Sequence, residues 1–234
     1  MKPTIKICGL QGVEVLKSIQ SLPIDQIGFV FAPSKRRVTK EIAGEMIAFL
    51  NQMREQEDRR TPLTVGVFMN PTQEELTQVM EHASLDVIQL HGEESPDLCK
   101  WVKQKFGVQV YKVISIKGEH AELSVDAPLS KSFLARLVSY VGVIDALLLD
   151  THDPVYGGGS GQVFRWELIP RFTEWAKHAG VKLIVAGGLH PDNVRILVDA
   201  YEIDGVDVSS GVETDGRKDI EKIKKFVERL KTND

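Results

Sequence analysis

The chain has 234 residues, 42% of them hydrophobic and 26% charged, proportions that fit one globular domain over residues 1–234. A formal net charge of -4 at pH 7 argues against nucleic acid as a partner, because that role needs a basic face. No apolar run reaches the roughly 20 residues that span a bilayer, and no signal-peptide core opens the chain, so membrane association is excluded and a cytoplasmic location is expected.

Short β-rich runs alternate with amphipathic stretches from end to end. Residues 4–8 read as the first strand and 13–21 as the first helix, followed by strand 26–31 and helix 40–54. Strand 63–68 precedes helix 71–82, and strand 86–90 precedes helix 95–106. The second half repeats the pattern: 108–114 with 129–140, 144–150 with 166–178, 182–186 with 191–201, and 206–209 with 219–231. Asn70-Pro71 and His190-Pro191 suggest proline at the first helical position, and Thr39 stands before Lys40-Glu41 as a cap. The stretches 52–61 and 117–129 read as polar surface excursions. Eight alternations without a linker imply an α/β fold, a single closed (β/α)8 TIM barrel. An open doubly wound sheet is the alternative on pattern, but its GxGxxG turn after the first strand is missing.

Alternation within the strands sorts side chains between the helices and the barrel interior. If Ile5 and Ile7 face the helices, Lys6 and Cys8 face inward. The same parity sends Gln89, His91, Asp150, Asp207 and Ser209 inward, mostly at strand C-termini, where barrel enzymes build their sites. Lys6 and Asp207 should then form an ion pair, since the first and eighth strands meet on closure and a lone buried ammonium is costly. Such a pair would also set positive charge beside Cys8 and favour its thiolate.

Three glycine- and serine-rich segments follow the last three strands: Gly157-Gly158-Gly159-Ser160-Gly161, Ala186-Gly187-Gly188 and Asp207-Val208-Ser209-Ser210-Gly211. Glycine allows backbone N–H groups to approach an anion and serine adds hydroxyl donors, so a small phosphorylated substrate is expected among Gly161, Gly187, Gly188, Ser209 and Ser210. Cys8 and Cys99 are far apart and form no CxxC pair, which excludes a disulfide framework and a cysteine zinc site. Cys99, on a helix, reads as a small buried hydrophobe, whereas Cys8 ends a strand on the pocket side. Asp150 closes Leu147-Leu148-Leu149-Asp150-Thr151 in the same way.

These residues carry a specific resemblance. Lys6-Ile7-Cys8-Gly9-Leu10, Gly28-Phe29-Val30-Phe31 with Ser34-Lys35-Arg36-Arg37-Val38, and Gln89-Leu90-His91-Gly92-Glu93 resemble segments of the phosphoribosylanthranilate isomerase family. So do Leu149-Asp150-Thr151, Gly158-Gly159-Ser160-Gly161, Ala186-Gly187-Gly188-Leu189 and Asp207-Val208-Ser209-Ser210-Gly211-Val212-Glu213. They occur in the family's order and cover every βα unit except the third and fifth. One departure stands in Phe164-Arg165-Trp166, where the family often has an acidic or small residue at the middle position.

The resemblance implies an aldose–ketose isomerase of tryptophan biosynthesis that performs an Amadori rearrangement with no cofactor and no metal. It implies Cys8 as general base, Asp150 as general acid and Arg36 as the arginine that meets the anthranilate carboxylate, with Arg37 as the neighbouring alternative. A thiol serves as base once its pKa is lowered, and Asp150 would be kept protonated by the substrate's own negative charges. His91 either orients substrate or is a hydrogen-bonded structural histidine. The related isomerase of histidine biosynthesis would be expected to use aspartates in both roles, and Cys8 argues against it. A catalytically silent metabolite-binding barrel is disfavoured by the Cys8/Asp150 pair.

Overall fold

The computed structural model describes residues 2–57, 61–116, 130–151 and 166–231. Strands β1 (Thr4–Cys8), β2 (Gln26–Val30), β3 (Leu63–Phe68), β4 (Val87–Leu90), β5 (Gln109–Ile116), β6 (Ala146–Thr151), β7 (Lys182–Val185) and β8 (Gly205–Val208) pair in parallel in chain order, and β8 closes on β1. Helices α1 (Val13–Ile19), α2 (Lys40–Glu57), α3 (Gln73–His82), α4 (Pro96–Phe106), α5 (Lys131–Val138), α6 (Ile169–Ala179), α7 (Val194–Ala200) and α8 (Ile220–Lys231) follow the strands in turn. The chain therefore forms the (β/α)8 barrel that its alternation implies. Among the described residues no helix is long and apolar enough to cross a membrane.

The two helix starts expected at proline differ from expectation. Pro71 lies ahead of α3, because Thr72 takes the cap: its hydroxyl accepts from the Glu75 N–H at 3.1 Å while the Glu75 carboxylate accepts from the Thr72 N–H at 2.7 Å. Pro191 lies ahead of α7, where the Asn193 side chain accepts from His190 N–H at 2.8 Å and donates to the Gly188 carbonyl at 3.0 Å. Those bonds hold the segment as a turn. Proline does open α4 (Pro96) and α6 (Pro170), and glycines in the left-handed conformation, Gly107 and Gly180, end both helices.

Four aspartates brace the end of the barrel away from the strand C-termini. Asp25, Asp86, Asp145 and Asp204 each follow an aliphatic residue at intervals of about sixty residues. Their carboxylates accept the N–H of Ile5, Thr64, Val110 and Leu183 at 2.8–2.9 Å, at the start of β1, β3, β5 and β7. The backbone N–H of each aspartate donates to the strand before it. Each carbonyl accepts from Leu63, Gln109, Lys182 or Thr4 at the start of the strand after it. One residue type, repeated four times, thus ties every strand pair at its entry.

Strand parity follows the sequence. Ile5, Ile7, Ile88, Leu90, Leu147, Leu149, Val206 and Val208 pack in the layer between sheet and helices. Val65, Val87, Tyr111, Val113, Ala146, Leu148, Ile184 and Ala186 fill the barrel interior as a separate cluster. Lys6 and Asp207 are register partners on β1 and β8, and Lys6 Nζ lies 2.7 Å from Asp207 Oδ2 with the lysine 1% exposed. The expected ion pair is formed, below the level of Cys8.

Candidate active site

At the C-terminal end of the barrel one cavity is lined by Cys8, Arg36, His91, Asp150, Gly187, Gly188, Ser209 and Ser210, together with apolar Val30, Val67 and Met69. Every residue that sequence assigned to catalysis or substrate binding, with Arg36 rather than Arg37, therefore reaches the same cavity except Gly161, which lies outside the described residues. Arg165 lies outside them as well.

Cys8 ends β1 beside Gly28 of β2, its register partner. A Cβ at position 28 would stand 2.8 Å from the Cys8 Sγ, so the absence of a side chain there makes room for the thiol. Burial pushes the Cys8 pKa up. The Lys6 and Lys218 ammonium groups pull it down and Asp207 pushes it up again, leaving the thiol above its ordinary value. The Lys6–Asp207 pair favours the thiolate, as expected from sequence, but the desolvation of a buried anion outweighs that help and the net shift is upward. Lys6 itself is lowered by burial and raised more by Asp207 and Cys8, so it keeps its proton firmly. Cys99 lies fully buried on α4 in the outer layer, its thiol pushed up to about 11 by burial.

Asp150 near the end of β6 meets His91, which follows β4, with Nε2 and Oδ2 3.3 Å apart. The turn carrying His91 is held from beneath. Glu94 accepts from the N–H groups of Asn70 and Gly92, and the buried Lys112 donates to Glu94 at 2.9 Å and to the Gly92 carbonyl at 2.6 Å. His91 N–H donates to the Phe68 carbonyl at 2.8 Å.

Arg36 sits in the loop after β2, where Val38 N–H donates to the Val30 carbonyl and Arg36 N–H to the Ser34 hydroxyl. Arg36 is buried and lines the cavity, whereas Arg37 is exposed. The Arg36 guanidinium donates through Nε and Nη2 to the two oxygens of Glu213, at 2.6 and 2.9 Å. Its pKa is raised, first by that hydrogen bond.

On the far side of the cavity lie the loops after β7 and β8. Gly187 (φ 80°) and Gly188 (φ 66°) are both left-handed, a backbone path that turns successive N–H groups toward one side. Neither N–H enters a backbone hydrogen bond among the described residues. Ser209 donates its hydroxyl to the Cys8 carbonyl at 3.1 Å, which ties the β8 loop to the end of β1.

Comparison with known proteins agrees with this geometry. The family model for N-(5'-phosphoribosyl)anthranilate (PRA) isomerase matches residues 5–229. An N-(5'-phosphoribosyl)anthranilate isomerase of Brevibacillus brevis is 43% identical over 98% of this chain and 94% of its own length. The chain belongs to the PRA isomerase family. The crystal structure of phosphoribosyl anthranilate isomerase from Thermotoga maritima superposes with a TM-score of 0.76 at 33% identity, covering 98% of both chains. A phosphoribosyl anthranilate isomerase in complex with reduced 1-(o-carboxyphenylamino)-1-deoxyribulose 5-phosphate superposes with a TM-score of 0.72 at 31% identity, again over 98% of both chains.

Within this PRA isomerase-family site, sequence reasoning overlooked two groups. Glu213 was read only as the end of a motif and Lys218 was not singled out, yet both contact cavity-lining residues. Asp215-Gly216 was the available signal, because that dipeptide between polar runs marks a tight hairpin. The hairpin is present: β9 (Glu213–Thr214) pairs antiparallel with β10 (Arg217–Lys218), with Asp215 and Gly216 at φ 50° and 76°. Two buried acceptors, Gln89 Oε1 and Asp207 Oδ1, have no partner among the described residues, although both side chains line the cavity.

Proposed function

We propose that this chain is a cytoplasmic enzyme that isomerises N-(5-phosphoribosyl)anthranilate to 1-(2-carboxyphenylamino)-1-deoxyribulose 5-phosphate in tryptophan biosynthesis. Family membership supports the activity. The observation that carries the residue roles is the meeting of Cys8, Asp150, Arg36 and the Gly187–Ser209 loops around one cavity. Arg36 receives the anthranilate carboxylate at one end. Gly187, Gly188, Ser209, Ser210 and Gly161 receive the phosphate at the other. Val30, Val67 and Met69 offer apolar contact to the aromatic ring.

Asp150 donates its proton to the furanose ring oxygen. The C1–O bond breaks, and the nitrogen lone pair forms the C1=N iminium. The iminium acidifies the C2 proton, which the Cys8 thiolate removes, and the C–H electron pair closes the C1=C2 bond of the enolamine. The enolamine loses its O2 proton and gains one at C1, giving the ketone. Exchange with solvent then returns a proton to Asp150 and removes one from Cys8. The test is rescue of a tryptophan auxotroph lacking this isomerase step, with turnover of freshly generated substrate by the purified chain. Rescue by the Cys8→Ser/Asp150→Asn double variant as strong as by the native chain would refute the assignment.

A further inference from the structure

Glu213 takes no part in the reaction written above, yet its side chain is 6% exposed and accepts three hydrogen bonds from two cations. Lys218 donates to it at 2.8 Å, and also to the Ser209 carbonyl at 2.9 Å and hydroxyl at 3.3 Å. The β9–β10 hairpin makes this possible, since Glu213 and Lys218 are cross-strand partners held together by the Asp215-Gly216 turn. Lys222 fastens the hairpin from α8, donating to the Glu213 carbonyl at 2.7 Å.

A guanidinium has two forked edges that match a carboxylate. Glu213 occupies the edge formed by Nε and Nη2. The edge formed by Nη1 and the second Nη2 proton has no partner among the described residues. Charge matters as much as direction. Arg36 and Glu213 alone would form a neutral pair with little attraction for a second carboxylate. Lys218 brings the buried cluster to one net positive charge, which balances the negative charge of one substrate carboxylate.

We propose that Glu213 and Lys218 are positioning residues for carboxylate recognition: Glu213 aims the guanidinium of Arg36, and Lys218 restores the charge that Glu213 cancels. This rests on the reading of Arg36 as the carboxylate-binding group. The bonds from Lys218 to Ser209 extend the cluster to the phosphate side, so one hairpin sets both ends of the site.

The experiment measures binding of two ligands by calorimetry: the reduced product analogue, and the same molecule with aniline in place of anthranilate. The ratio of the two affinities reports carboxylate recognition alone. Lys218→Met should lower that ratio about tenfold, and Lys218→Arg should restore most of it. Glu213→Asp, which keeps the charge but withdraws the carboxylate by one methylene, should also lower it and provides the test if Lys218→Met fails to fold. Equal weakening of both ligands would make the hairpin a general support only and overturn the inference, as would an unchanged ratio. A native protein that does not prefer the carboxylated ligand would instead overturn the reading of Arg36, and the inference with it.

Discussion

His91 Nε2 lies 3.3 Å from Asp150 Oδ2, bridging the ends of β4 and β6 across the intervening β5. The imidazole therefore stands against one oxygen of the Asp150 carboxylate, with both side chains lining the cavity. If Asp150 is the acid, Asp150→Asn should lower kcat by the ~10²–10⁴ typical of a lost proton donor, with KM little changed. His91→Ala should cost roughly tenfold, the size of one ordinary hydrogen bond. Steady-state kinetics on both variants separate the roles. A His91→Ala loss as large as that of Asp150→Asn would transfer the acid role to the histidine.

The barrel was legible because strand periodicity and helix amphipathicity agreed at all eight repeats, and inward polar positions such as Lys6 and Asp207 could then be paired by closure alone. Pro71 and Pro191 misled because hydrogen bonds accepted by the Thr72 and Asn193 side chains decide those helix starts, and a proline signal cannot report them. Cys8 was correctly turned inward, but its protonation could not be read. That balance depends on the depth of burial around the thiol, which three-dimensional packing alone sets. Glu213 and Lys218 escaped notice for a related reason: Glu213 matters because it touches Arg36, far away in the chain, and Lys218 because the hairpin folds it back onto Glu213 and Ser209.

The four aspartate braces should govern stability without touching chemistry, because they lie at the barrel end opposite the cavity. Asp86 accepts from both the N–H and the hydroxyl of Thr64, at 2.8 and 2.9 Å. Asp86→Ala should lower the unfolding free energy by about 1.5–3 kcal/mol, the range for a hydrogen bond to a charged group. The Asp86→Ala/Asp204→Ala double should lose nearly the sum, since the two lie on different strand pairs. Urea unfolding at pH 7 measures this, and kcat/KM of the folded variants should stay near native. A large loss of activity in a folded variant would contradict the separation of the two ends.

Phosphate recognition should depend on the left-handed backbone at Gly187 and Gly188. Gly187→Ala puts a Cβ on a residue at φ 80°, where an L side chain is strained, so the N–H groups should turn away. Inorganic phosphate should then inhibit the variant more weakly than the native enzyme, and KM should rise with less change in kcat. Inhibition constants for phosphate and sulfate provide the measurement. Unchanged inhibition, or a crystal with phosphate bound only away from these loops, would count against the site.

The pH dependence of Cys8 gives the last prediction. If the Cys8 thiolate is the base, kcat/KM, which reports the free enzyme, should rise with pH and level off only above the thiol pKa. Burial raises that pKa, so the limb should continue beyond the ordinary thiol value of about 8.5. The signs for the neighbours follow from charge. Asp207 destabilises the thiolate, so Asp207→Asn should move the limb to lower pH. Lys6 stabilises it more strongly than Asp207 opposes it, so Lys6→Met should move the limb to higher pH, and the Lys6→Met/Asp207→Asn double should fall between Lys6→Met and native. Lys6→Met strands a buried carboxylate at a cost of about 3–5 kcal/mol, so the double variant is the better folded comparison. Cys8→Ser should lose the limb and lower kcat by at least ~10²–10⁴, because a hydroxyl barely ionises in this range. Rate–pH profiles of the five proteins decide the matter. A limb that stays in place across the Lys6 and Asp207 variants would mean that some group other than Cys8 is titrating.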